Sequence, residues 1–166
     1  DLMTKGRVGW NVVTSLNSAE ALNFGHAAHM EHDARYDRAD EFMDVVMGHW
    51  NTWDDDALIL DKETGRFADA SRVHRLDHVG NYFKSRGPFS VPRSQQGHPV
   101  IIQAGQSGRG QAFAARWAEL VFIIHHNLEA GKIAYANFPF YVDAGSASQK
   151  PHSVRIKKFT MDSFNP

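Results

Sequence analysis

The six residues Gly105-Gln106-Ser107-Gly108-Arg109-Gly110 stand between a strongly apolar run and a helical one. Glycines at such a junction let the backbone approach a ligand closely, and amides at a helix N-terminus favour an anion such as phosphate. The Ser107 hydroxyl and the Arg109 guanidinium would add to that grip, with Gly105 and Gly108 supplying the close approach. A tight strand-to-helix turn that needs only small residues fits the same motif, and the motif alone does not separate the two readings. Sharper chemistries are excluded. The nucleophile elbow G-x-S-x-G needs a glycine where Arg109 stands. The Gly-Lys-Ser/Thr ending of a triphosphate loop is missing, and the dinucleotide pattern G-x-G-x-x-G does not match.

A second concentration of polar groups is His26, His29 and His32, with Glu31 and Asp33 beside them. Spacing by three brings side chains toward one helical face, and imidazole with carboxylate suits zinc or iron. A polar connection that happens to carry histidines is the competing reading. Within this stretch His32 and Tyr36 are four apart at the start of a long helical pattern, so they share a face. A neutral imidazole and a phenol hold a polar ligand without adding net charge. On spacing alone, Tyr36 equally well begins an apolar stripe that His32 precedes. Arg86 and Arg93 flank Gly87-Pro88 and read as ligand contacts or as solvated loop residues. His125-His126 reads as a surface turn.

These groups need elements to position them. Residues 8–14 form a β-rich run, expected as a buried strand, and Asn17 or Ser18 is placed to cap a short helix over 19–22. Asp33 is placed as the N-cap of the strongest helix. There Tyr36, Ala39, Phe42, Met43, Val46, Met47, Trp50 and Trp53 recur at three and four, and with the other tryptophans they read as core. Residues 54–98 break the pattern and read as an excursion from a scaffold, with brief strands at 58–60 and 82–83. Regularity returns in a strand over 99–105, a helix over 111–118, a strand over 120–124, a helix over 127–136 and a weak strand over 153–156. Strand, helix, strand, helix, strand is the grammar of an α/β protein with a parallel sheet, and four strands suggest part of a larger unit.

Composition narrows the function classes. The 166 residues carry 18 Lys plus Arg against 19 Asp plus Glu, a net charge of −1, which gives no electrostatic case for nucleic acid or an anionic membrane. There are no cysteines, so disulfides, thiolate metal sites and cysteine nucleophiles are all out. No apolar run is long enough to span a bilayer. The opening residues read as neither a signal peptide nor an initiation site, and the chain is expected to be processed or part of something longer.

Several long motifs, in order, resemble one family. Gly6-Arg7-Val8-Gly9-Trp10-Asn11-Val12-Val13-Thr14-Ser15 is similar to a central strand of the nitrilotriacetate and dibenzothiophene-sulfone monooxygenases, which are bacterial-luciferase-like and flavin-dependent. Residues 31–42, Arg86-Gly87-Pro88 with Pro92-Arg93-Ser94, and residues 99–107 resemble it too. The resemblance runs almost without gaps over 5–122; beyond it only Asn127-Leu128-Glu129 and 150–156 still look related. It implies the middle of a (β/α)₈ TIM barrel, about strands 4 to 7, with 1–166 as a single domain and 54–98 as an insertion within it. It also implies the oxygenase half of a two-component monooxygenase. Reduced FMN (FMNH₂) would come from a separate NAD(P)H-dependent flavin reductase, and O₂ would oxygenate a small organic substrate, often cleaving a C–N or C–S bond. By motif, His32 and Tyr36 resemble FMN-contacting positions and Ser107 a phosphate-contacting one. Asn11 and Val12 would neighbour the isoalloxazine, with Gly105 and Gly108 giving backbone approach. A homodimer or homotetramer in the cytoplasm is the accompanying expectation. A non-catalytic piece that keeps the α/β core is the alternative, and a metal enzyme built on His26, His29 and His32 a further one.

Overall fold

A computed structural model describes residues 1–136, and the expected strand at 153–156 lies outside them. The chain forms two compact units. One comprises Asp1–Val8 and Asp37–Pro99, the other Gly9–Tyr36 and the residues from Val100 onward.

The second unit holds the parallel sheet. Strands β1 (Gly9–Asn11), β6 (Val100–Gln103) and β7 (Leu120–Val121) pair in the order β1-β6-β7. Asn11 lies opposite Ile102, and Gln103 opposite Val121, so β6 is the central strand. All three strands are shorter than their apolar runs. Past the ladder only single bonds continue it, Val12 N–H to the Ile102 carbonyl and Phe122 N–H to that of Gln103, both 2.9 Å. Side-chain hydrophobicity marks what is covered, whereas a strand ends where its neighbour's backbone does. Helix α3 (Gly108–Trp117) links β6 to β7 as a βαβ crossover and turns Gly110, Phe113 and Ala114 inward. That three-and-four spacing lays them, with Ile101, Val12, Ala118 and Val121, into the unit's core. Helix α1 (Ser18–Asn23) is capped by Asn17, whose side chain accepts from the Ala19 amide at 2.9 Å. Helix α4 (Leu128–Ala136) starts after Asn127, which accepts from the Ala130 amide at 2.9 Å.

Helix α2 (His32–Trp50) begins one residue before the expected cap, so Asp33 sits inside its first turn rather than at its N-cap. Its stripe is less buried than the periodicity implies. Tyr36 and Met43 are buried, but Phe42 remains 38% exposed, and Trp53 lies beyond the helix in a bridge with Val73. The four tryptophans are half-buried rather than core. In the first unit, Trp50 stacks on His98 and the Trp53 indole donates to the Phe89 carbonyl at 2.9 Å.

The rest of the first unit is the excursion. Strands β2 (Leu58–Asp61) and β3 (Arg66–Ala68) form a bulged antiparallel hairpin whose turn is fixed by the Asp61 carboxylate, which accepts from the Glu63 and Thr64 amides. Strands β4 (His78–Val79) and β5 (Lys84–Ser85) form a second hairpin. The strand expected at 82–83 is absent. Tyr82 and Phe83 instead give their amide hydrogens to the Glu41 carboxylate, which replaces a strand neighbour. Arg93 bonds the Asn51 side chain at 3.1 Å and pairs with Asp55, so it serves the unit's own structure.

Candidate functional site

The second unit assembles its chemistry at the carboxyl end of β6. The chain leaves the strand through Gln103, which is 3% exposed and accepts from the Gly105 amide. Ser107 then caps α3 in an extended conformation, its hydroxyl accepting from the Gly110 amide at 3.0 Å. The cap and the helix N-terminus behind it concentrate amide donors at this end of the sheet.

His32 and Tyr36 come to the same place. His32 Nε2 lies 3.2 Å from Ser107 Oγ, and His32 Nδ1 lies 2.6 Å from Asp33 Oδ1. The His32 and Tyr36 rings are 5.1 Å apart, as the four-residue spacing requires, and Tyr36 packs on Phe113 at 5.6 Å. The Arg109 guanidinium stands 5.7 Å from the centre of the Tyr36 ring. Tyr36 is only 5% exposed, yet among the described residues no hydrogen bond satisfies its hydroxyl. That hydroxyl lies over the turn: a Cβ added to Gly105 or Gly110 would stand 2.9 or 2.8 Å from it. Both glycines are therefore required by close approach. Gly108 differs, because a Cβ there would meet nothing within 4 Å.

The structure thus brings together His32, Tyr36, Gly105 and Ser107, with Gly108 opening the turn to its surroundings. Asn11 is exposed at the carboxyl end of β1 and Val12 is buried beside it. Neither makes a hydrogen bond or ring contact to the cluster among the described residues. The three histidines His26, His29 and His32 do not share a helical face. Helix α2 starts only at His32, so the first two lie in an irregular connection, and no group of three or more potential ligands forms among the described residues. Spacing also missed two residues. Gln103 had a signal, as the polar residue of an apolar run, and Asp33 had one as a cap and as a carboxylate beside the histidines.

A parallel sheet whose central strand ends on a glycine turn, with a serine-capped helix behind it, defines an α/β protein of the type that binds ligands at strand carboxyl ends. The chain's relatives agree. The family model described as luciferase-like monooxygenase matches residues 1–151. A dibenzothiophene-sulfone monooxygenase of Rhodococcus erythropolis is 55% identical over 94% of this chain and 34% of its own. Nitrilotriacetate monooxygenase component A of Aminobacter aminovorans is 50% identical over 82% of this chain and 30% of its own. Among solved structures, long-chain alkane monooxygenase superposes with a TM-score of 0.77 at 44% identity, over 82% of this chain and 32% of that one. A riboflavin lyase holding modified FMN and riboflavin gives 0.72 at 45%, over 80% and 29%. The chain belongs to the luciferase-like monooxygenase family, and its fold is a portion of that family's TIM barrel. It spans about a third of the length of the curated relatives it matches.

Proposed function

We propose that this chain contributes the phosphate grip for FMN in the oxygenase component of a two-component flavin-dependent monooxygenase. The observation that carries this is the Tyr36 hydroxyl, which makes no hydrogen bond among the described residues and lies over two glycines that tolerate no side chain, beside the amide donors of the Ser107-capped helix. A phosphate meets every group present. Tyr36 donates its phenolic hydrogen, Ser107 and the first amides of α3 surround the anion, and Arg109 adds positive charge. The riboflavin lyase with its modified FMN supports this choice of ligand, and the "component A" relative supports a division of labour with a second protein.

Reduced FMN, when bound, supplies the electrons that activate O₂, one oxygen atom going to the substrate and the other to water. The chain's own part is positional. The cradle anchors the phosphate, and Asn11 and Val12 at the end of β1 flank the ring system. The core beneath them keeps water out. A separate NAD(P)H-dependent flavin reductase delivers FMNH₂, the substrate is a small organic molecule cleaved at C–N or C–S, and the protein works in the cytoplasm as a dimer or tetramer. Residues 54–98 are an insertion on a single barrel domain.

Anaerobic titration with FMNH₂, followed by flavin absorbance, tests the reading. Saturable one-to-one binding, weakened by both Tyr36→Phe and Ser107→Ala, is the expected result. Affinity unchanged in both variants would contradict it.

A further inference from the structure

We infer that Asp33 is a positioning residue, which holds His32 as its Nδ1–H tautomer and makes the phosphate grip take up a proton as it closes. The inference rests on the phosphate reading above and adds a regulation of the same site by pH.

The donor assignments follow in sequence. An ionised carboxylate only accepts, so the 2.6 Å contact between Asp33 Oδ1 and His32 Nδ1 places a hydrogen on Nδ1. A neutral imidazole with hydrogen on Nδ1 has an acceptor at Nε2. At 3.2 Å the Ser107 hydroxyl therefore donates to Nε2, while its oxygen accepts from the Gly110 amide at 3.0 Å. The Ser107 hydrogen is thus turned toward His32 and away from an incoming anion. Protonation of His32 at Nε2 reverses this. The imidazolium has no acceptor left, so the Ser107 hydrogen swings free to the phosphate and Nε2–H becomes a further donor. One proton is taken from solvent to Nε2, and no other bond is made or broken.

The surrounding charges set the balance. Asp33 and the preceding Glu31 put negative charge beside the ring, and Arg109, from the start of α3, puts positive charge over the Tyr36 ring. Tyr36 faces the ring at 5.1 Å. A carboxylate that orients a histidine fixes which nitrogen carries the proton, and here the histidine is linked onward to the cap of a ligand-binding helix.

Two measurements on the full chain test this. In long-range ¹H–¹⁵N spectra of the labelled protein, with His32 assigned by loss of its signals in His32→Gln, the neutral ring should carry hydrogen on Nδ1. In Asp33→Ala it should shift to the Nε2–H form while circular dichroism stays unchanged. Hydrogen on Nε2 in the wild type, or no change in Asp33→Ala, overturns the inference whatever the flavin does. Separately, the affinity ratio of FMN to riboflavin should fall between pH 6 and 8, by at most about tenfold per unit for one linked proton. The slope should flatten in Asp33→Ala. A pH-independent ratio above one overturns the proton uptake and leaves the phosphate reading standing. A ratio of one at every pH overturns the phosphate reading and this inference with it.

Discussion

Two residues of helix α2 head polar clusters of opposite character. Glu41, in the first unit, is saturated: its carboxylate accepts from the Tyr82 and Phe83 amides at 2.7–3.0 Å and meets His78 Nε2 at 3.2 Å. Gly80 closes over it so tightly that a Cβ there would stand 2.2 Å from a carboxylate oxygen. Tyr36, in the second unit, is almost as hemmed in by glycines, but among the described residues its hydroxyl has no hydrogen-bond partner. A satisfied cluster has finished its work on folding, because every donor already has its acceptor. An unsatisfied one leaves a donor that a ligand can use. The difference separates a structural anchor from the binding site we propose, although both look alike in sequence, as a polar side chain on one helix near glycines.

The largest effect should come from breaking the anchor. Glu41→Ala strands two backbone donors and the His78 ring, and should lower the thermal midpoint by roughly 10 °C. Tyr36→Phe removes a hydroxyl that bonds nothing among the described residues, so its midpoint should stay within about 2 °C of wild type. Its FMN affinity should drop about tenfold, the value of one hydrogen bond to a charged group. Comparable loss of stability in both variants would erase the distinction.

Acid should sharpen the same contrast. Burial works against ionisation of Glu41, but the amides of Tyr82 and Phe83, the His78 ring and the Asn81 amide together outweigh it. They hold its carboxyl below the ordinary value of 4.5. A carboxylate with a depressed folded value stabilises above its unfolded value and loses that contribution as pH falls through the folded one. Unfolding midpoints measured downward from pH 6 should therefore fall more steeply below 4.5 in the wild type than in Glu41→Gln. Asp61, held by the Thr64 hydroxyl and amide and by the Glu63 amide, adds to this slope in both proteins, and so does Asp69, held by Ser71. The smallest stability effect belongs to Gly108→Ala. Its new methyl meets nothing within 4 Å, so the midpoint should be unchanged or slightly raised, yet the methyl narrows the turn and should weaken FMN binding several-fold.

What the sequence made legible follows from range. Short-range signals worked: Asn17 as a cap, the helical spacing of His32 and Tyr36, and the apolar run of β6 all describe neighbours in the chain. The glycine turn was legible as a motif but not as a site, because its partner His32 is 75 residues from Ser107. The family resemblance supplied that pairing where spacing could not. The Glu41 anchor reaches across 41 and 42 residues to Tyr82 and Phe83, and an aromatic pair there reads as a strand until the acceptor is known. Asp33 failed as a cap for a local reason: its carboxylate is engaged by the adjacent His32 rather than by an amide of the first turn. The tryptophans show the remaining limit. Periodicity finds the face a helix covers, but not how completely it is covered.

The central claim is that the Tyr36 cradle holds a phosphate. Its most direct test compares FMN with riboflavin, which differ only by that group, against wild type and Tyr36→Phe under identical conditions. The account predicts that the wild type prefers FMN and that Tyr36→Phe loses about tenfold of that preference with riboflavin affinity unchanged. Equal losses for both flavins, or no preference in the wild type, would contradict it.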